Sequence, residues 1–262
     1  MNFTPLEALD VVGYRLTDRD LELLAFLAEH RLALPTHVAV LLGTSAAAAT
    51  ARLNKLAKAG HIRRDGLGRS YQITRRGLAM IGSSLPTPRV DVRAYEHDVG
   101  VAWLWLAARS GTFGPLEQVI GERRLRSLDG SRDPGSEPLG VRLGGFGPHG
   151  RERLHYPDLI LRTGDGRRIA LELELTAKSR TRLETILSGY GADPRFDGVV
   201  YLVDRPAGAR SVQAAGRRLG IPDVVHIQRV RSTASPTAPA AAVAPERTAT
   251  RGRTARGSEV AR

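Results

Sequence analysis

His155-Tyr-Pro-Asp158-Leu-Ile-Leu161, Thr163-Gly-Asp-Gly-Arg167 and Ile169-Ala-Leu-Glu172-Leu-Glu174-Leu-Thr-Ala-Lys178 read together as a β-hairpin that carries three acids. Side chains alternate across a strand, so Leu171, Leu173 and Leu175 point one way while Ala170, Glu172, Glu174 and Thr176 point the other. Two carboxylates therefore share a face. A three-residue loop, Gly164-Asp165-Gly166, with Gly166 in the left-handed position of a bulge turn, pairs Thr163 with Arg167 and sets Asp158 opposite Glu172. An even-length loop would set Asp158 beside Leu173. In the odd register three acids cluster, and like charges facing each other across a sheet destabilise it. Such a cluster invites a cation.

The chain has 262 residues, 42% hydrophobic and 25% charged, enough for one or two cored domains, and two are expected. No apolar run approaches the ~20 residues that span a bilayer, and the N-terminal residues lack a basic-then-apolar leader pattern. A cytoplasmic protein with no membrane partner is the expectation. With no cysteine, disulfides, thiolate metal sites and thiol catalysis are excluded, so any metal must bind oxygen or imidazole. The net charge of +12 favours nucleic acid or an anionic surface as partner. Arginine far outnumbers lysine, present only as Lys55, Lys58 and Lys178; GC-rich codon usage explains that ratio but not the excess of bases over acids.

Thr17-Asp-Arg-Asp20 opens a helix, and Pro35 opens a second one that Gly43 ends. Thr44 is expected to cap a third, which runs to about Ala59. His61-Ile-Arg-Arg64, a Gly-rich turn and Arg69-Ser-Tyr-Gln-Ile-Thr74 follow as strand, turn, strand, then a helix from Arg75. This order resembles a winged helix-turn-helix domain of the kind found in MarR-like and PadR-like regulators. From Thr44 to Arg76 eight bases (Arg52, Lys55, Lys58, Arg63, Arg64, Arg69, Arg75 and Arg76) stand against one acid, Asp65. Phosphate contact on both sides of a major groove would require a positive third helix and a positive wing, so double-stranded DNA is the expected partner. Alanines dominate the start of the third helix and offer bases only methyl contacts, which leaves Ser45, Thr50 and Arg52 as candidate base readers.

Ser83-Ser-Leu-Pro-Thr-Pro88 marks a boundary, giving a winged-helix domain over 1–84, a linker over 85–90, an α/β domain over 91–231 and a disordered basic tail over 232–262. In the second domain the sequence predicts a helix over 90–109, a strand over 116–125 that includes Glu122, and a long loop over 129–150. Beyond the acidic hairpin it predicts a helix from Lys178 to Tyr190, then strand, helix and strand over 198–228, a sheet covered on both faces. The class is α+β.

Pro-Asp at one strand and an acidic pair on the next, set in the order helix, three strands, helix, strand, resemble the PD-(D/E)XK nuclease-like superfamily. The resemblance implies that Asp158 and Glu172 hold one or two Mg²⁺ ions. It also implies a lysine at position 174, where this chain has Glu174. Two repairs are open: Lys178 reaches into the site in its place, or Glu174 joins Asp158 and Glu172 as a metal ligand. Glu96, His97 and Glu122 are further candidates for ligand or base. Taken with the winged helix, the chain also resembles the replication-relaxation family of actinobacterial plasmids and mobile elements, which implies a role in replication-relaxation or transfer of such DNA. A Mg²⁺-dependent nickase or nuclease is one expectation. Its alternative is a winged-helix transcriptional regulator whose nuclease-like domain is inactive and senses a ligand or forms a homodimer. Gly-rich phosphate loops of the Walker type, zincin HExxH motifs and Gly-x-Ser-x-Gly elbows are all absent.

Overall fold

The computed structural model describes residues 15–66, 70–133 and 135–230; the basic tail expected over 232–262 and Arg69 lie outside the described residues. Among them no helix is long and apolar enough to cross a membrane. The fold is α+β.

Thr17 opens α1 (Asp18–Glu29) with a reciprocal box: its hydroxyl accepts from the Asp20 amide at 3.3 Å, and the Asp20 carboxylate accepts from the Thr17 amide at 2.9 Å. Pro35 begins α2 (Pro35–Leu42), and Gly43 ends it in the left-handed region at φ 59°. Ser45, not Thr44, caps α3 (Ala46–Lys58), because a capping oxygen must reach an amide three residues on and Ser45 finds that of Ala48 at 3.2 Å. β1 (Ile62–Arg64) and β2 (Tyr71–Ile73) then pair antiparallel, and α4 (Arg75–Met80) follows.

After a 3-10 turn at Val92–Ala94 comes α5 (Tyr95–Arg109), then β3 (Leu116–Gly121) and α6 (Glu122–Gly130). The strand expected over 116–125 therefore stops at Gly121, and Glu122 begins a helix, where an acid complements the exposed amides. The loop expected over 129–150 contains β4 (Val141–Phe146), paired antiparallel with β5 (Glu152–His155). The remaining elements are β6 (Leu159–Thr163), β7 (Arg168–Glu174), α7 (Arg180–Ala192), β8 (Gly198–Val203), α8 (Pro206–Arg218) and β9 (Val225–Arg229). Ser179 caps α7, which leaves Lys178 in the preceding loop and not in the helix.

β3, β6, β7, β8 and β9 form one sheet in that order, antiparallel up to β7 and parallel beyond. Both faces are covered. Leu159, Leu161, Leu171 and Leu173 pack toward α5 and the N-terminal helices, while Ile160, Ala170, Val199 and Tyr201 pack toward α7 and α8. The first of these cores runs without a break from α1 through Leu85 of the expected linker to Trp105 of α5 and the sheet. Ring contacts fasten the seam: Phe26 lies 5.3 Å from Trp105 and His37 lies 4.3 Å from Trp103 between centroids.

β4 rides directly on Gly189 of α7. A Cβ there would stand 2.7 Å from Val141 Cγ1 and 2.8 Å from the Arg142 carbonyl oxygen. Gly189→Ala is therefore expected to push β4 off the helix and cost roughly 1–3 kcal/mol, read as a lower urea midpoint with an unchanged slope. An unchanged midpoint would show that β4 yields freely.

Candidate functional site

The turn that organises the acids forms as its residues dictate. The Thr163 amide donates to the Arg167 carbonyl at 3.0 Å, the Gly166 amide donates to the Thr163 carbonyl at 2.9 Å, and Gly166 takes φ 89°. Leu159 then faces Leu171, so the ladder projects Asp158 toward Glu172. All three acids are buried: Asp158 is 8%, Glu172 3% and Glu174 6% exposed.

Each carboxylate has its own cationic partner. His97, near the start of α5, donates from Nε2 to Asp158 Oδ2 at 3.2 Å, and the Leu173 amide donates to the same oxygen at 2.7 Å. His155, the last residue of β5, donates to Glu172 Oε1 at 2.6 Å, and the Tyr190 hydroxyl of α7 donates to that oxygen at 2.5 Å. Lys178 bonds Glu174 across one turn of chain. Burial would lower the pKa of His97, but its bond to Asp158 and the charges of Asp158 and Asp98 outweigh burial and raise it to about 10. His155 is likewise raised, Glu172 overcoming burial. Asp158 is pushed up by burial and pulled further down by His97, ending below the usual carboxylate range. Glu174 ends above it, because burial with Glu172 and Asp158 nearby outweighs Lys178. Burial and Glu172 hold the Tyr190 phenol neutral, as a donor.

Three carboxylates offer the all-oxygen donor set that a hard cation such as Mg²⁺ takes. In chemistry that set fits. Among the described residues, however, no group of three or more His, Cys, Asp or Glu side chains is arranged to hold a metal ion, and the charge is met by His97, His155 and Lys178. Beside the acids lies an open cleft of about 480 Å³, lined among others by Arg93, Glu96, His97, Glu174, Lys178 and Arg182. Glu96 is exposed at its rim, whereas Glu122 lines a separate, small pocket with His97 and Asp158 and pairs with Arg31 at 2.6 Å and Arg126 at 2.8 Å.

The sequence reading assigned no role to His155 or Tyr190. Their signals were present but local pattern could not rank them: His155 stands three residues before Asp158, and Tyr190 is one of several inward positions on a helix. Arg31 and Asp98 also escaped it.

Six of the eight expected basic residues are exposed: Lys55 and Lys58 on α3, Arg63 and Arg64 on β1, and Arg75 and Arg76 on α4. The candidate base readers are otherwise engaged. Ser45 is spent as the cap of α3, and the Thr50 hydroxyl donates to the Ala46 carbonyl at 2.7 Å. Arg52 is drawn back to α1, its Nε donating to Asp20 Oδ1 at 2.7 Å, because a carboxylate with 0% exposure demands a partner. Asn54, one turn beyond Thr50 and one before Lys58, is exposed and accepts a hydrogen bond from the Tyr71 hydroxyl at 2.9 Å. No protein-family model matches the chain, and comparison with the curated proteins finds no match.

Proposed function

We propose that the chain is a double-stranded-DNA-binding protein of a plasmid or mobile element, acting in replication-relaxation or transfer. Residues 1–84 serve as a winged helix and 91–231 as a PD-(D/E)XK nuclease-like domain that engages the same DNA. The observation that carries this reading is the exposure of six bases on α3, β1 and α4, three of the four elements between Ala46 and Met80. Contacts to phosphate dominate, and sequence preference is weak, since Ser45, Thr50 and Arg52 are engaged within the protein.

The hydrolytic part of the proposal assigns Mg²⁺ to Asp158, Glu172 and Glu174, where it would neutralise phosphate charge and polarise water. The chain's own part is carried by Lys178, Arg93 and Arg182, which line the cleft and attract a phosphodiester, while Leu173 fixes Asp158 through its amide. A second reading is favoured by the neutralisation of each carboxylate by a side chain of the protein: a winged-helix transcriptional regulator with an inactive nuclease-like domain. Incubation of supercoiled plasmid with the protein and Mg²⁺ or Mn²⁺ separates the two. Conversion to open circles supports hydrolysis, and plasmid left supercoiled supports the regulator.

For binding, fluorescence anisotropy on a short duplex across a salt series is the test. Replacing Lys55, Lys58, Arg63 and Arg64 together by alanine is expected to flatten the slope of log affinity against log salt by about 0.9 for each phosphate contact removed. Affinity indifferent to salt in the wild-type protein would sink the DNA reading.

A further inference from the structure

Arg31 follows α1 and sits where the N-terminal helices meet the sheet domain. Its backbone is stapled to β2: its carbonyl accepts from Gln72 Nε2 at 2.9 Å, and two residues on Ala33 exchanges two 2.9 Å bonds with Tyr71. Its side chain points the other way. Nη1 donates to Asp98 Oδ1 at 3.1 Å and Nη2 to Glu122 Oε2 at 2.6 Å. Asp98 is 5% exposed, and its Oδ2 is buried without a hydrogen-bond partner. Arg31 therefore supplies the compensation for that charge, through Oδ1.

The same Oδ1 faces His97. It lies 4.0 Å from His97 Nδ1, too far for a hydrogen bond, while His97 Nε2 is committed to Asp158 at 3.2 Å. A second route runs through backbone, the Glu122 amide donating to the Asp158 carbonyl at 3.1 Å. The charged and titratable groups that line the two pockets with His97 are Arg93 before α5, Tyr95, Glu96 and Asp98 on its own helix, Glu29 at the end of α1 with His30 and Arg31 just beyond it, Glu122 and Arg123 on α6, Asp158 before β6, Glu174 at the end of β7, Lys178 after it, and Arg182 on α7.

We propose that Arg31 is a positioning residue: by holding Asp98 Oδ1 it keeps Asp98 from capturing His97, and so leaves the His97 ring on Asp158. The N-terminal segment that carries the basic surface thereby sets the geometry of the acidic site, because the residue that holds Asp98 is itself fixed to β2. Without the guanidinium, the buried Asp98 carboxylate has His97 Nδ1 at 4.0 Å, while the Arg123 guanidinium nearby is committed to the Ala28 and Pro86 carbonyls at 3.2 and 2.6 Å. The His97 ring turns to Asp98, and the Asp158 bond is lost. What Asp158 then does for a phosphodiester rests on the proposed function; the hydrogen bond itself does not.

Nitrogen-15 NMR of the full chain reads that bond directly, through the solvent exchange of the His97 Nε2 proton at pH 7. In Arg31→Gln the exchange is expected to quicken at least ten-fold, with partial recovery in Arg31→Lys. Adding Asp98→Asn to Arg31→Gln is expected to restore the slow exchange, because the competing carboxylate is gone. A residue that only stabilised the seam would not be rescued in this way. If Arg31→Gln fails to fold, the double variant, which buries no unpaired charge, is compared with Arg31→Gln/Asp98→Glu, expected to exchange fast. Unchanged exchange in Arg31→Gln, or fast exchange persisting in the double variant, overturns the proposal. The plasmid assay can fail while this result stands, so the two ideas are separable.

Discussion

Acidification below pH 6.5 is expected to remove folding stability at a rate approaching roughly 3 kcal/mol per pH unit, because two groups titrate over the same range and each contributes a little over ~1. His30 and His37 are buried between α1, α2 and the tryptophans of α5, and desolvation lowers both to about 3. The geometry agrees for His37: the Leu34 amide donates to its Nδ1 at 3.0 Å, so that nitrogen must be without a proton. In the unfolded chain both rings take up a proton as pH falls through 6.5, whereas the folded chain resists until about 3; in between, acid favours unfolding. His97 and His155 work in the opposite sense. Their folded values are raised, that of His97 to about 10, so their contribution is fully present below 6.5 and is lost as pH rises through the folded value. The stability maximum therefore falls near neutrality, with the steeper flank on the acid side. Urea unfolding from pH 4 to pH 9 measures the profile, and His30→Leu should halve the acid slope even if it lowers the whole curve. A flat acid flank, or a slope that His30→Leu leaves untouched, would mean that these rings already share protons with solvent.

The same seam shows how far sequence carries. Elements written by neighbouring residues were legible: Thr17 with Asp20, Pro35 with Gly43, and above all Gly164-Asp165-Gly166, whose left-handed Gly166 fixes the register and with it the approach of Asp158 to Glu172. Elements written by distant partners were not. Val-Arg-Leu-Gly-Gly-Phe over β4 has no clean alternation, and it is a strand because β5 pairs with it and Gly189 lets it lie against α7. Gly121 ends β3 without a side-chain cap for α6, so nothing local announced the switch. At the site the acids were evident, but their partners stand far off in sequence: His97 is 61 residues from Asp158, and Tyr190 is 18 from Glu172. Register can bring carboxylates together; only tertiary packing decides whether cations of the chain or an external ion neutralise them.

Glu172→Ala is expected to cost roughly 3–5 kcal/mol, the range for removing one partner of a buried ion pair. Two donors converge on Glu172 Oε1, from His155 at 2.6 Å and Tyr190 at 2.5 Å, and alanine leaves both facing a cavity. Tyr201, paired with Glu172 in the β7–β8 register, already has a buried hydroxyl without a partner, so the wild-type site carries one unmet donor before any change is made. Glu172→Gln should cost less, since an amide oxygen still accepts from Tyr190. What it loses is the attraction to the His155 cation, a term present in full below pH 6.5 and lost as pH rises through the raised folded value of His155. The stability gap between wild type and Glu172→Gln must therefore be widest in mild acid and narrow toward alkaline pH, the reverse of the trend set by His30 and His37. Urea midpoints of the two proteins at pH 5.5 and pH 9 give the comparison, and a gap that does not change with pH would show that His155 is neutral beside Glu172. Glu172→Gln also serves the plasmid assay better than alanine does, because the smaller expected loss of stability leaves more of it folded. Wild-type nicking that vanishes in the folded Glu172→Gln protein assigns the loss to chemistry at the carboxylate, whereas nicking that survives removes Glu172 from any hydrolytic role and leaves it as the acceptor that ties β5 to α7.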